Sequence, residues 1–176
     1  MYKLAYSRNT ENNKVQLLAS GALLNEVIAA SKLLKDDWNI DSDLWSVTSY
    51  SELHREAEDK NRWNILHPEE KKRDSYVGSC IKKENGPVVA ISDYVKLVAE
   101  QIAPYIECPF IALGTDGFGR SETREELRCF FEVTRYYIVM TALEALNREG
   151  KVDKIMVKEA IEKYNLDPEK PNPVTV

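Results

Sequence analysis

Phe110-Ile-Ala-Leu-Gly-Thr-Asp-Gly-Phe-Gly-Arg-Ser121 runs from four contiguous apolar residues into a loop with three glycines, and Thr123 with Glu126 then offers a capping box for a helix. A short apolar run that ends in Gly reads as a strand buried on both faces of a parallel sheet. Three such runs lie upstream, at 15–19, 44–48 and 88–91, each followed by Gly, Ser, Thr or Asp. Segments of helical period separate them: Leu24, Val27, Ile28 and Leu34 share one face, as do Val95, Val98, Ile102 and Tyr105. Strand and helix alternate, so the fold class is α/β. Residues 2–6 add a candidate edge strand before a polar turn at 9–13.

Beyond the glycine-rich loop the pattern is helical only. Val139, Ala142, Leu143 and Leu146 form one stripe, ended by Gly150; Val157, Ala160, Ile161 and Tyr164 form another, ended by a proline-bearing tail at 168–173. Residues 136–141 are aromatic and β-branched enough to suit either helix or strand. The stretch 50–74 stands apart. Ser49 with Glu52 resembles a capping box, but the helix it opens carries only Leu53, Ala57, Trp63 and Leu66 among many charges, which predicts a peripheral excursion. The basic run Lys71, Lys72 and Arg73 reads as a solvated loop.

The 176 residues, 43% hydrophobic and 30% charged, suffice for one globular domain. A net charge of −5 gives no reason to expect nucleic acid or an anionic membrane as partner. The apolar runs are too short to span a bilayer, and Met1 opens no signal peptide, so the expected compartment is the cytoplasm. Cys80, Cys108 and Cys129 are widely spaced, which argues for free, buried or half-buried thiols over a disulfide or CxxC framework. His54 and His67 are the only histidines, too few for an imidazole-rich zinc site.

Loops at the carboxyl ends of strands face the ligand crevice of an open α/β sheet, and that makes Gly114, Thr115, Asp116, Gly117, Phe118, Gly119, Arg120, Ser121 and Arg124 the candidate site. Three glycines permit close approach of a ligand or positive φ; equally, they make a tight turn that Asp116 caps. The glycine order is wrong for a dinucleotide fingerprint, and no Gly-Lys-Ser or Gly-Lys-Thr phosphate loop occurs. Ser49 and Glu52, after the second apolar run, and Asp93, after the third, are further strand-end candidates, with helix capping as their competing role. Arg120, Arg124 and Arg128 could clamp an anion, although Arg124 and Arg128 beside Glu125 and Glu126 also suit surface ion pairs. A hydrolase built on Ser49 or Ser121 would have to recruit one of the two histidines.

Four segments, Val15-Gln-Leu-Leu-Ala-Ser-Gly21, Leu44-Trp-Ser-Val-Thr-Ser-Tyr-Ser-Glu-Leu53, Arg62-Trp-Asn-Ile-Leu-His-Pro68 and Gly114-Thr-Asp-Gly-Phe-Gly-Arg-Ser-Glu-Thr-Arg124, occur in order and are followed by Phe131-Glu-Val133. In this order they resemble the final domain of homodimeric bacterial pyruvate dehydrogenases, within the transketolase superfamily. The resemblance runs from about Tyr2 to the end of the chain. It implies a three-layer α/β/α sandwich with a mixed, mostly parallel sheet of about five strands. It also implies that thiamine diphosphate, magnesium and the catalytic residues belong to two upstream domains, absent here. No catalytic, cofactor or metal ligand of the family falls on a residue of this sequence: Asp116-Gly117 resembles part of a Gly-Asp-Gly magnesium motif, but Thr115 stands where its first Gly would be and no Asn-Asn pair follows.

For the whole enzyme the resemblance implies decarboxylation of pyruvate and acetylation of a lipoyl group on the dihydrolipoyl acetyltransferase component, with the cofactor supplying the carbanion chemistry. For this domain it implies homodimer assembly and one wall of the active-site entrance, where the loop from Gly114 to Arg124 would lie. A different class of reading is an independent small-molecule-binding or regulatory module with the same fold.

Overall fold

The structure, a computed structural model, describes residues 1–6 and 13–176, so most of the expected turn at 9–13 lies outside the described residues. In chain order the elements are β1 (Tyr2–Ala5), β2 (Lys14–Ala19), α1 (Leu24–Trp38), β3 (Asp41–Ser46), α2 (Tyr50–Leu66), α3 (Tyr76–Ile81), β4 (Val88–Ile91), α4 (Lys96–Glu100), β5 (Phe110–Leu113), α5 (Arg124–Phe130), α6 (Arg135–Arg148) and α7 (Lys154–Lys163). The sheet order is β1-β3-β2-β4-β5. β1 runs antiparallel to β3 and every other pairing is parallel, giving the mixed, mostly parallel five-stranded sheet expected.

Side chains alternate across the sheet, and each face gathers its own core. Val15, Leu17, Ala19, Val89 and Ile91 pack on α1, α6 and α7 through Val27, Leu34, Ile138, Ala142, Leu146 and Ala160. Leu18, Trp45, Val88 and Ala90 face the other way, onto Tyr50, Leu53, Val77, Ile81, Ala99 and Ile102. The ambiguous segment 136–141 is helical: as part of α6, its Ile138 and Val139 fill the core against the face of the sheet at β4 and β5.

Four expectations are corrected. The second apolar run is read three residues late: the strand begins at Asp41, whose partner is Lys14. Its acidic residues hide it from a hydrophobicity reading, yet Asp43 is fully buried beside Lys14 (2.7 Å) and Lys3 (3.1 Å), and Asp41 pairs with Lys35 (3.1 Å). The helix at 50–66 is peripheral only in its second half: Tyr50, Leu53 and Ala57 are core, whereas Ile65 and Leu66 are exposed. The single helix expected around Val95 to Tyr105 is split into α4 and a 3-10 turn at Ala103–Tyr105 by Pro104. Among the cysteines, Cys80 and Cys108 are half-buried as expected, but Cys129 is exposed.

Candidate functional site

From β2 the chain leaves toward β3 on one side, and β4 lies on the other, so the switch in strand order falls between β2 and β4. Loops after those two strands diverge there and leave a crevice outside their carboxyl ends. Tyr50 braces the seam: its buried hydroxyl lies 3.2 Å from the carbonyls of both Leu18 and Ile91. Beyond it opens a recess of about 590 Å³ whose lining includes Ala22 and Leu23 after β2, Asp93 after β4, and Thr115, Gly117 and Gly119 after β5.

The loops are tied to one another. Asp93 accepts from the Ala22 N–H (3.3 Å) and the Ser20 hydroxyl (3.5 Å), so this strand-end carboxylate is a loop cap. Thr115 donates its N–H to the Tyr94 carbonyl (2.9 Å) and its hydroxyl to the Asp93 carbonyl (3.3 Å). Asp116 accepts from the Lys96 N–H (3.2 Å) and therefore caps α4, not its own turn. Gly114 lies against that helix start, where a Cβ would come within 2.6 Å of Lys96 Cα.

Gly117 is held differently. Its φ is +114°, and a Cβ there would overlap the Pro173 carbonyl oxygen. The C-terminal tail thus straps the loop, with Pro173 buried and the Lys170 ammonium on the carbonyl of Cys129 (3.1 Å), the carbonyl of Phe130 and the carboxylate of Glu132 (3.2 Å). Phe118 at the loop tip is 79% exposed, and Gly119 has no atom within 4 Å of where a Cβ would stand.

α5 closes the recess. Thr123 caps it by accepting the Glu126 N–H (3.3 Å), and Arg124, Leu127, Arg128 and Phe131 line the cavity from one face. The arginines do not pair with Glu125 and Glu126. Arg128 reaches Glu26 (2.9 Å) and the Ala22 carbonyl (3.1 Å); Arg120 stacks over the Phe130 ring at 4.0 Å; Arg124 has no hydrogen bond or ion pair among the described residues. Glu26, on α1, also accepts from the Arg135 backbone N–H (3.0 Å) and guanidinium (3.0 Å). Burial pushes its carboxyl upward, but the Arg135 hydrogen bonds and the charges of Arg135 and Arg128 outweigh that and hold it below the usual range. No local pattern marks Glu26, because its partners lie 102 and 109 residues away.

Ser49 and Glu52 stand apart from this recess, at the end of β3. The Ser49 hydroxyl accepts the Glu52 N–H (3.2 Å) as the cap of α2, while the Glu52 carboxylate turns to Arg55. Ser121 lies in the loop, and neither histidine bonds to it or to Ser49: His54 donates Nδ1–H to the Gln101 carbonyl (3.1 Å), and His67 to that of Trp63 (2.8 Å). Neither serine is in hydrogen-bond contact with a histidine among the described residues. Trp63 stacks on the His67 ring (4.3 Å) and has the Arg73 guanidinium over its ring (3.6 Å), so the Trp-Asn-Ile-Leu-His motif makes local contacts at the end of α2.

The family model of the transketolase-like TK C-terminal domain matches residues 1–134. Among relatives, the pyruvate dehydrogenase E1 component of Cupriavidus necator is 54% identical over 168 residues, which is 96% of this chain and 19% of that protein. The E1 components of Pseudomonas aeruginosa and Escherichia coli are 49% and 45% identical, covering 99% and 98% of this chain and 20% and 19% of theirs. The chain spans about a fifth of the length of these relatives. Among solved structures, transketolase from Leishmania mexicana superposes with a TM-score of 0.54 at 20% identity, covering 84% of this chain and 18% of that one, a likeness of fold. With the family model spanning five strands and the first five helices, this chain belongs to the transketolase-like C-terminal domain family.

Proposed function

We propose that this chain is the C-terminal domain of a cytoplasmic, homodimeric pyruvate dehydrogenase E1 component, serving dimer assembly and the active-site entrance while the chemistry is done by upstream domains. The observation that carries this reading is identity of 45–54% to three E1 components along 96–99% of the chain, too extensive to reflect a shared fold alone. The longer protein would oxidatively decarboxylate pyruvate and acetylate the lipoyl group of the dihydrolipoyl acetyltransferase component. The residues present do not fit thiamine diphosphate with magnesium. Asp116, the one carboxylate between Gly114 and Ser121, is turned to the Lys96 N–H, and among the described residues no cluster of three His, Cys, Asp or Glu could hold a metal. In this reading cofactor and metal are held outside the chain, and the loop from Gly114 to Arg124 forms part of the wall past which substrate enters.

The test compares the longer protein with a form lacking these 176 residues, in the reconstituted complex with pyruvate, coenzyme A and NAD, alongside sedimentation. Loss of both the dimer and overall turnover, with cofactor binding retained, is the expected outcome. Undiminished dimer and turnover without the domain would refute it. A natural reading frame that encodes this domain alone would favour the independent module instead.

A further inference from the structure

We propose that the recess at the β2–β4 switch point binds a small organic anion, a carboxylate or phosphate ester with an apolar body, through Arg124 and Arg120. The inference is independent of the assignment to pyruvate dehydrogenase, because it rests only on what lines the cavity. First, the place: an open, mostly parallel sheet offers its ligand crevice outside the carboxyl ends of the strands where their order reverses, and this recess is lined by the loops after β2, β4 and β5. Its volume of about 590 Å³ is that of a small-molecule cavity.

Second, the charge. Arg128 and Asp93 also line the recess: Arg128 is neutralised by Glu26, whereas Asp93 is held by the Ala22 N–H and Ser20 and keeps its negative charge. Among the described residues, the cations left without an ion-pair partner are Arg124 and Arg120, the latter presented by its stacking on Phe130, and of the two lining carboxylates Asp93 is tied to the loop after β2 while Glu122 has no partner. Guanidinium groups match carboxylate and phosphate oxygens in paired hydrogen bonds. Third, the floor: Leu127 and Phe131 alternate with the arginines on the same face of α5, and so offer hydrocarbon beside the cationic end. A cavity with that division takes an anion that has an apolar portion, whether a carboxylate or a phosphate ester.

The probes are hexanoate and phenyl phosphate, with inorganic phosphate and hexanol as halves of the motif, titrated by heteronuclear NMR. Both the 176-residue chain and the longest natural form of the protein are used. Hexanoate or phenyl phosphate is expected to bind saturably, with shifts centred on Leu127 and Phe131 and a Kd on the order of 1 mM, and hexanol not to bind. Arg124→Ala should weaken binding by about fivefold or more, and Glu122→Gln should strengthen it by about twofold, since one cation is removed and one anion neutralised. Arg124 and Glu122 are exposed and unpaired, so neither variant should alter the fold, and unchanged spectra in the absence of probe check this. Whichever anion binds more tightly names the head group. Absence of saturable shifts, equal affinity for Arg124→Ala, or binding confined to the isolated chain would each overturn the proposal, the last because the recess would then be an internal contact of the longer protein.

Discussion

Gly117 and Gly119 stand two residues apart in the same exposed loop, yet alanine at the two positions should have opposite consequences. At Gly117 the backbone is at φ +114°, where a side chain is strained, and the added methyl would overlap the Pro173 carbonyl oxygen and stand 3.0 Å from its carbon. A backbone held in so sparse a region costs about 1–3 kcal/mol for a non-glycine residue, before any displacement of the tail. At Gly119 φ is not positive in this sense and the methyl meets nothing within 4 Å. There the loss of unfolded-state freedom should stabilise by about 0.4–1 kcal/mol. For a chain of this size each kcal/mol moves Tm by about 2–4 °C, so Gly117→Ala should melt about 3–16 °C below Gly119→Ala. Calorimetry or urea denaturation of the chain reads this. Removing residues 173–176 from both should separate the two causes: the overlap with Pro173 disappears and the φ cost remains, so part of the difference persists. Equal melting temperatures for the two alanine variants would refute the reasoning, and would mean that the tail does not strap the loop.

Two further outcomes follow from the groups behind the recess. Glu26 has a folded pKa below its ordinary 4.5, so its contribution is complete above that value and is lost as pH falls through the lower folded value. Glu26→Gln should therefore lower stability at pH 7 but flatten the acid limb, so that urea midpoints of variant and parent converge as pH drops; a constant gap from pH 7 into the acid range would contradict this. Tyr50→Phe removes the hydroxyl shared between the Leu18 and Ile91 carbonyls and should cost about 1 kcal/mol, read as a lower urea midpoint with unchanged slope. An unchanged midpoint would show that the hydroxyl does not brace the seam.

Apolar runs at 15–19, 88–91 and 110–113 point to strands because both faces of the sheet's centre are covered, and a residue buried on either face must be apolar. That logic fails where burial is ionic. Asp43 is fully buried, yet Lys3, Lys14 and Gln16 satisfy it, all of them brought there by strand pairing. A hydrophobicity reading places the strand at 44–48, because the partners that make the buried Asp43 tolerable lie 27 to 40 residues away. Likewise α2 looks peripheral by composition, since its many charges dilute the two buried turns contributed by Tyr50, Leu53 and Ala57.

The candidate loop is legible for a local reason: its glycines directly follow a buried strand, and strand ends define the crevice in this class of fold. What that reading lacks is commitment, meaning which polar groups are already used. Asp116, Asp93 and Ser49 each carry the residue type of a catalytic or ligand-binding group, but they cap α4, the turn after β2 and α2 respectively. Arg124 and Arg128 are equivalent by spacing and differ in the fold, since only Arg128 meets Glu26. Capping partners within three residues can be anticipated from spacing. Partners 20 or 102 residues away can be found only once the topology places α1 and α4 beside the loop. Spacing alone therefore names the loop and overcounts its available side chains, and the groups left over after the fold has satisfied its own caps and ion pairs are the ones through which a ligand can be recognised.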